Sequence, residues 1–350
     1  MAFARRQFLS TSAYSVAGLA LPDESWWQDA ADRASSRPAA SRRRIGAGDV
    51  EAVQEMTGFF QQRDQRHGGG HGRSAVTAYL VDEVADMLNG TFRDERVRRE
   101  LLSTAGELIY LTGWMAFDAG QHAEAQTHFT LAIRLAAEAT DPALAAHVMR
   151  AMAHQAVDLG HYREALQLSS ATMDRSRYGH ACPRERALLG VVHARALAVA
   201  GQKKAAATAL LQAEEDLAAA TTADEPGRMF FFKEASLAHE TACTLRDIGD
   251  FAGAQREFKR SVRTRKATTY ARTHAVTLGY LGAVQARTDG VEAACATWNR
   301  ALDAMEGVQS RRALDTVTTM RQTISPFRYR GITAVAELEA RTAAVLRQVA

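Results

Sequence analysis

The residues of this chain best suited by type and spacing to chemistry are His67 and His71, which flank Gly68, Gly69 and Gly70. Two imidazoles four residues apart can share a metal ion, and a His-Gly-Gly-Gly run offers backbone N–H groups of the kind that hold an oxyanion in esterases. The rest of the chain completes neither chemistry. Metal ligands must be held in place, which a glycine run does not do, and no third or fourth ligand lies nearby in sequence. The Gly-x-Ser-x-Gly elbow of an esterase nucleophile is missing. His239-Glu240 lacks the second histidine of His-Glu-x-x-His, and there is no phosphate-binding glycine loop, dinucleotide fingerprint or paired-cysteine zinc pattern. Cys182, Cys243 and Cys295 are isolated and odd in number, as expected of inert thiols in a reducing compartment. The chain therefore reads as a non-enzyme without metal or cofactor, and His67–His71 as a tight turn between helices.

The remaining charged candidates are arginines. Arg42, Arg43 and Arg44 form the sharpest basic cluster, read as solvated linker charge. Arg260, Arg263, Arg265 and Lys266 form a second, at a helix end where positive charge suits the helix dipole. A net charge of +3 from 43 basic and 40 acidic residues is too balanced to argue for nucleic acid. No stretch approaches the roughly 18 uncharged apolar residues of a membrane span.

The elements that must carry these residues announce themselves by a recurring phrase: a turn residue, alanine five positions on, then usually a large residue four further. It reads Gly120, Ala125, Phe129; Gly160, Ala165, Ser169; Gly201, Ala206, Leu210; Gly249, Ala254, Phe258; and Asp289, Ala294, Trp298. A small residue stands seven positions before each turn, at Gly113, Ala153, Ala194, Ala242 and Gly282. Glycine ends one helix and reverses the chain, and the small residues let the two helices approach closely. Such self-similarity points to stacked helical repeats. With 47% hydrophobic residues and six prolines in 350, an all-α chain with a large core follows.

The phrase resembles the tetratricopeptide repeat, and Tyr162, Phe251, Ala132, Ala213 and Ala301 extend the likeness. The early tryptophan of that repeat is absent, Ser169 replaces an aromatic, and the turns lie 40, 41, 48 and 40 residues apart, against about 34 in the standard unit. The resemblance implies a right-handed solenoid of about six helical hairpins plus a capping helix. Residues 1–48 form a connector or signal-like segment, flexible from Ala30 to Arg44, and residues 49–325 the repeats. The tail is broken at Pro326 and ends in a capping helix from Ile332 to Val349, within residues 326–350. Helices from Asp49 to Arg66 and Arg73 to Leu88 make a degenerate first hairpin, with Gly70, Ala75 and Tyr79 repeating the phrase; five clearer hairpins run from Val97 to Gly307.

In such an array the first helix of each hairpin lines a concave surface, and equivalent positions stand together. Six residues before the turns lie Trp114, His154, Arg195, Cys243 and Ala283; ten before lie Tyr110, Arg150, Val191, His239 and Gly279. A peptide- or protein-binding groove is expected at Tyr110, Trp114, Arg150, His154 and Arg195, flanked by His239 and Arg246. Aromatic anchors and cationic donors suit an apolar side chain and a carboxylate.

Two longer stretches, Asp64-Gln65-Arg66-His67-Gly68-Gly69-Gly70-His71 and Gly113-Trp114-Met115-Ala116-Phe117-Asp118-Ala119-Gly120, together with Arg5-Arg6-Gln7-Phe8-Leu9, resemble the repeat part of actinobacterial regulators that join an Xre-type helix-turn-helix domain to tetratricopeptide-like repeats. Only four residues precede Arg5, so the resemblance implies a start inside a longer gene or a sensor module without its DNA reader, and no direct DNA binding by this chain. It further implies a cytoplasmic module that senses a signalling peptide or partner protein and controls transcription or development, with a homodimer left open. The alternative reading takes Arg5 to Leu9 and the apolar stretch from Ser12 to Leu21 as a twin-arginine export signal, making the chain an exported repeat scaffold.

Overall fold

The computed structural model describes residues 13–20, 22, 24–36, 39–221 and 225–349; the Arg5–Leu9 motif lies outside them. The described chain is almost wholly helical, which establishes the all-α class. Helices α1 (Glu24–Ser35) and α2 (Ala47–His67) are followed by α3 (Arg73–Tyr79), which runs through a π turn at Leu80–Val84 into α4 (Ala85–Leu88). Two-residue strands β1 (Arg44–Ile45) and β2 (Thr91–Phe92) pair in parallel.

Five antiparallel helix pairs follow: α5 (Glu95–Asp118) with α6 (His122–Glu138), α7 (Pro142–Asp158) with α8 (Tyr162–Thr172), and, after the single turn α9 (Arg175–Tyr178), α10 (Pro183–Val199) with α11 (Lys203–Ala218). The fourth and fifth are α12 (Glu234–Ile248) with α13 (Phe251–Thr264) and α14 (Ala271–Thr288) with α15 (Val291–Ala304). Side-chain caps start several of them: Asp94 accepts from Val97 N at 2.9 Å, and Asp141 from Leu144 N at 2.9 Å with Pro142 in the first turn. The four expected turn glycines have φ between 77° and 92°. In the fifth pair Asp289 keeps φ −109°, and the left-handed position falls one residue later on Gly290, since only a residue without Cβ takes that conformation without strain. The small residues of the phrase are the hairpin contacts: a Cβ on Gly113 would stand 2.8 Å from the Phe129 ring, and Trp298 occupies the space beside Gly282.

The pair before them departs from the phrase. Gly70 lacks positive φ, Ala75 is exposed, and Val76 and Leu80 enter the core instead, so the apolar face is one residue out of the expected register. Within the connector, α1 lies on the outer helix α6, Arg177 covers the Trp27 ring at 4.9 Å, and Arg43 pairs with Asp49 and Glu83 at 3.2 Å each rather than standing in solvent. At the other end an additional helix, α16 (Arg311–Ile324), packs on α14. The final helix α17 (Thr333–Val349) covers α15 and α16 beyond the 3-10 turn at Ser325–Phe327.

The stack returns on itself. Helix α14 lies against α2, and Arg272 of α14 bridges Asp64 of α2 at 3.0 Å and Asp118 of α5 at 3.1 Å. Beside it Gln309 N donates to His67 O at 2.7 Å and Gly70 N to Gln309 O at 2.9 Å, while Gly69 N and Ser310 Oγ donate to Asp118 at 2.9 and 3.0 Å. The three glycines are the place where the far end of the chain passes: a Cβ on Gly69 would collide with the Met115 carbonyl, and one on Gly68 with that of Gln309. This seam makes the run a steric requirement.

Gly69→Ala should therefore lower stability by about 1–3 kcal/mol through overpacking. Gly58→Ala, in the middle of α2 with open space around it, should raise stability by about 0.5–1 kcal/mol. Thermal unfolding followed by circular dichroism compares them, and equal melting temperatures for wild type and Gly69→Ala would show that the seam is not tightly closed.

Candidate ligand-binding cavity

The first helices of the pairs face inward and line a cavity with about 80 Å³ of room for the centres of water molecules, a space of about 910 Å³ once the open solvent at its mouth is included. Tyr110 and Trp114 reach it from α5, Arg150 and His154 from α7, and His239 from α12. Residues four apart on one helix share a face, which is why the paired positions of α5 and of α7 arrive together. The structure does not place Arg195 and Arg246 in this cavity. They line a separate, more open depression with Asp158, Asp247 and Tyr280, where Arg195 pairs with Asp158 at 2.9 Å and Arg246 with Asp247 at 2.7 Å. Arg312 borders both spaces.

Trp114 is the hub of the cavity wall. The guanidinium groups of Arg150, Arg272 and Arg312 lie 5.5, 5.8 and 5.9 Å from its ring, within cation–π range, and the His154 ring meets its edge at 5.8 Å. Arg312 also contacts His154 Nε2 at 3.2 Å and Asp158 at 3.6 Å. Burial, reinforced by the neighbouring guanidiniums, holds His154 well below the usual imidazole range although Asp158 opposes it.

Arg150 is 2% exposed. One of its nitrogens donates to Tyr110 Oη at 2.7 Å and lies 3.1 Å from His147 Nε2, while His147 Nδ1 lies 2.9 Å from Glu185. Burial and the Arg150 charge push His147 down to about 4, so the ring is neutral at pH 7. That assigns its proton to Nδ1, donating to Glu185, and its lone pair to Arg150. Burial alone would raise Glu185, but Arg228 and His147 hold it down to about 2. Arg228 grips Glu185 with bonds of 2.8 and 3.0 Å and reaches Glu107 at 2.6 Å. The chain Arg150–His147–Glu185–Arg228 thus fixes one wall.

Several wall residues escaped the sequence reading. Arg272 and Arg312 stand at the starts of α14 and α16, outside the ten- and six-residue positions. Arg265 belongs to the cluster read as helix-end charge, yet it lines the cavity, is 8% exposed, and is lowered to about 10 by burial. Arg228, Phe230, Phe231 and Phe232 come from the segment between α11 and α12, and the 48-residue interval between turns was the signal available for it. Among the described residues no group of three or more His, Cys, Asp or Glu is placed to hold a metal ion. The His67 and His71 rings lie 4.8 Å apart, but Arg63 Nη2 sits 2.7 Å from His71 Nε2. No described helix is long and apolar enough to cross a membrane.

Asp64 couples the cavity to pH. Its Oδ1 is buried without a partner, whereas Asp118 accepts from Gly69, Ser310 and Arg272, so Asp64 is the carboxyl of the pair that takes a proton. Burial raises it to about 6 against the pull of Arg272, with the Asp118 charge adding to the rise. A raised acid is stabilising in its protonated form: the contribution is complete below the unfolded value of about 3.9 and is lost as pH rises through about 6. Between pH 4.5 and 7 the wild type should lose about 2 kcal/mol relative to the change seen for Asp64→Asn. Denaturant melts of both proteins across that range check this, and parallel pH profiles would show Asp64 ionised throughout.

No protein-family model, curated protein or solved structure matches the chain.

Proposed function

We propose that this chain is a regulatory binding module, a tetratricopeptide-like solenoid whose enclosed interior receives a segment of a signalling peptide or partner protein. The observation that carries the reading is the convergence of Tyr110, Trp114, Arg150, His154 and His239, from three inner helices, on one cavity walled by aromatic rings and buried guanidinium groups. Repeats with small residues at the hairpin contacts and functional side chains on the inner helices are the economy of a solenoid that binds along its concave face. The likeness of residues 64–71 and 113–120 to the repeat part of Xre-type regulators supports a sensor in the cytoplasm, acting on transcription or development without touching DNA itself. No observation at the cavity points to catalysis, and the reading is of a binding protein.

The cavity also suggests how occupancy is transmitted. Asp64, Asp118 and Arg272 belong to its wall and to the seam where α14 meets α2 and α5. A ligand that binds the closed arrangement better than the open one shifts the equilibrium by that difference in affinity.

The protein purified from its own cells should carry a bound peptide or protein segment visible by native mass spectrometry. The bound species should be lost from the Arg150→Ala/His154→Ala variant and kept by Arg260→Ala, whose side chain pairs with Glu234 and Glu257 on the outside. Recovery of no bound species, or of the same species on the double variant, would overturn the reading.

A further inference from the structure

The cavity wall carries polar atoms of both kinds that the protein does not itself satisfy. Asp64 Oδ1 and Glu240 Oε2 are buried acceptors without a donor, and the Nε groups of Arg150, Arg265, Arg272 and Arg312 are buried donors without an acceptor. Each such group left unmatched disfavours the folded chain, so a molecule that matches several at once finds their desolvation already complete. Arg265 Nη2 donates to the Ala235 carbonyl at 2.8 Å and to Ser261 Oγ at 3.1 Å, both neutral. Burial raises Glu240 against the pull of Arg195, Arg312 and Arg150, and among charges Glu240 does most to oppose the lowering of Arg265. Glu240 thus stands within electrostatic reach of these guanidiniums while, among the described residues, it forms an ion pair with none of them, which leaves a gap that a small group can bridge.

The size and the rest of the wall narrow the choice. The interior has about 80 Å³ of room for water centres; at roughly 10–15 Å³ per water it holds about five to eight waters, the bulk of a two-ring heterocycle. Trp114, Phe230, Phe231, Leu111, Leu188 and Val276 form its apolar surface, which offers water little and suits a flat ring. Small ligands are told apart by what they leave unmatched. An acceptor-only anion suits the arginines but gives Asp64 and Glu240 no donor. A zwitterion matches both kinds of atom but must shed the water around two full charges, which burial repays only with excellent geometry. A planar heterocycle with acceptors and an N–H along one edge matches both without that penalty. The oxopurine edge is of this kind: O6 and N7 accept from a guanidinium, as guanine does from arginine in DNA, and the adjacent N1–H donates to a carboxyl group.

We propose that the cavity binds an oxopurine, as a free base or as the base of a nucleoside or nucleotide, with O6 and N7 on Arg265, N1–H on Glu240 and the ring system against Trp114, Phe230 and Phe231. This goes beyond the peptide-sensing reading and does not rest on it. The heterocycle takes the interior, and the mouth of the cavity stays open to a peptide segment.

Isothermal titration of the full-length protein with hypoxanthine, inosine and inosine monophosphate tests this, with adenine and benzoate as controls. Adenine turns its N6 amino donor toward the guanidinium and offers an acceptor at N1, reversing both contacts, while benzoate is an acceptor-only anion. The best of the three hypoxanthine compounds should bind at least tenfold more tightly than adenine, and which of the three is best tells whether the base arrives free or on its ribose. Arg265→Gln should remove most of that preference. Glu240→Gln, whose amide can donate to adenine N1, should narrow it by improving adenine; each variant is scored only where its thermal melt shows a folded chain, and the order of ligands on the wild type decides without them. Adenine binding as tightly as the best hypoxanthine compound would overturn the edge assignment, and benzoate binding as tightly would overturn it in favour of a simple anion. Binding of none of the five at millimolar concentration would overturn the inference outright. Capture of a peptide from cells is untouched by each of these results, so the two readings fail separately.

Discussion

Arg272 lies between Asp64 and Asp118 with all three side chains shut away from water, and the global shape of the molecule depends on that bridge. Burying three charges is expensive, and a buried ion pair is weak evidence for stability by itself. What it provides is position. Each helical hairpin is held by its own small-against-large contacts, such as Gly113 with Phe129 and Gly282 with Trp298, and would keep its local form without the bridge. The bridge ties α14 to α2 and α5 at one point, because Arg272 reaches both carboxylates at once. The backbone bonds between residues 67–70 and Gln309 fix the same alignment without charge.

A second constraint follows from the first. Closing the stack gathers arginines from α7, α14, α16 and the segments before α12 and after α13 around one space, and each must be accommodated there. The structure does so unevenly. Arg228 is doubly matched and anchors the relay through Glu185 and His147, which orients Arg150 by its imidazole lone pair. Arg312 is held by a long contact to Asp158 and a ring nitrogen of His154. Arg150 and Arg265 are hydrogen-bonded by neutral groups, which fix their geometry, and Glu240 offsets their charge only at longer range. A rigid, incompletely neutralised guanidinium is preorganised for an anion, because little further ordering is needed when one arrives.

The hairpins were legible in the sequence because their signal is local: alanine and glycine at fixed spacing tell where two adjacent helices touch. The same register brought Tyr110, Trp114, Arg150, His154 and His239 onto one cavity, since helical periodicity fixes the inward face. What was not legible is set by contacts across long separations in sequence. Nothing near His67 announces that Gln309 and Met115 will leave no room for side chains at residues 68–70, so the run reads as a turn. Arg195 and Arg246 share the inward face but are drawn aside by Asp158 and Asp247. Arg265 looks like exposed charge at a helix end until the Ala235 carbonyl and Ser261 claim it. The long interval between the third and fourth turns was visible as an irregularity, but its filling by Phe230–Phe232 depends on Arg228 reaching back to Glu107 on a helix far earlier in the chain.

Seam and cavity share atoms, and this makes their energetics reciprocal. Asp64 faces the cavity with an orphaned oxygen while its other oxygen holds Arg272, so any charge that enters alters the field in which both titrate. An anion beside Arg150 disfavours the ionised form of Asp64 and so weakens the hold of Arg272 on it; opening the seam in turn removes the wall that keeps Trp114 between three guanidiniums. If occupancy changes the stability of the seam by some factor, closing the seam must change the ligand's affinity by the same factor.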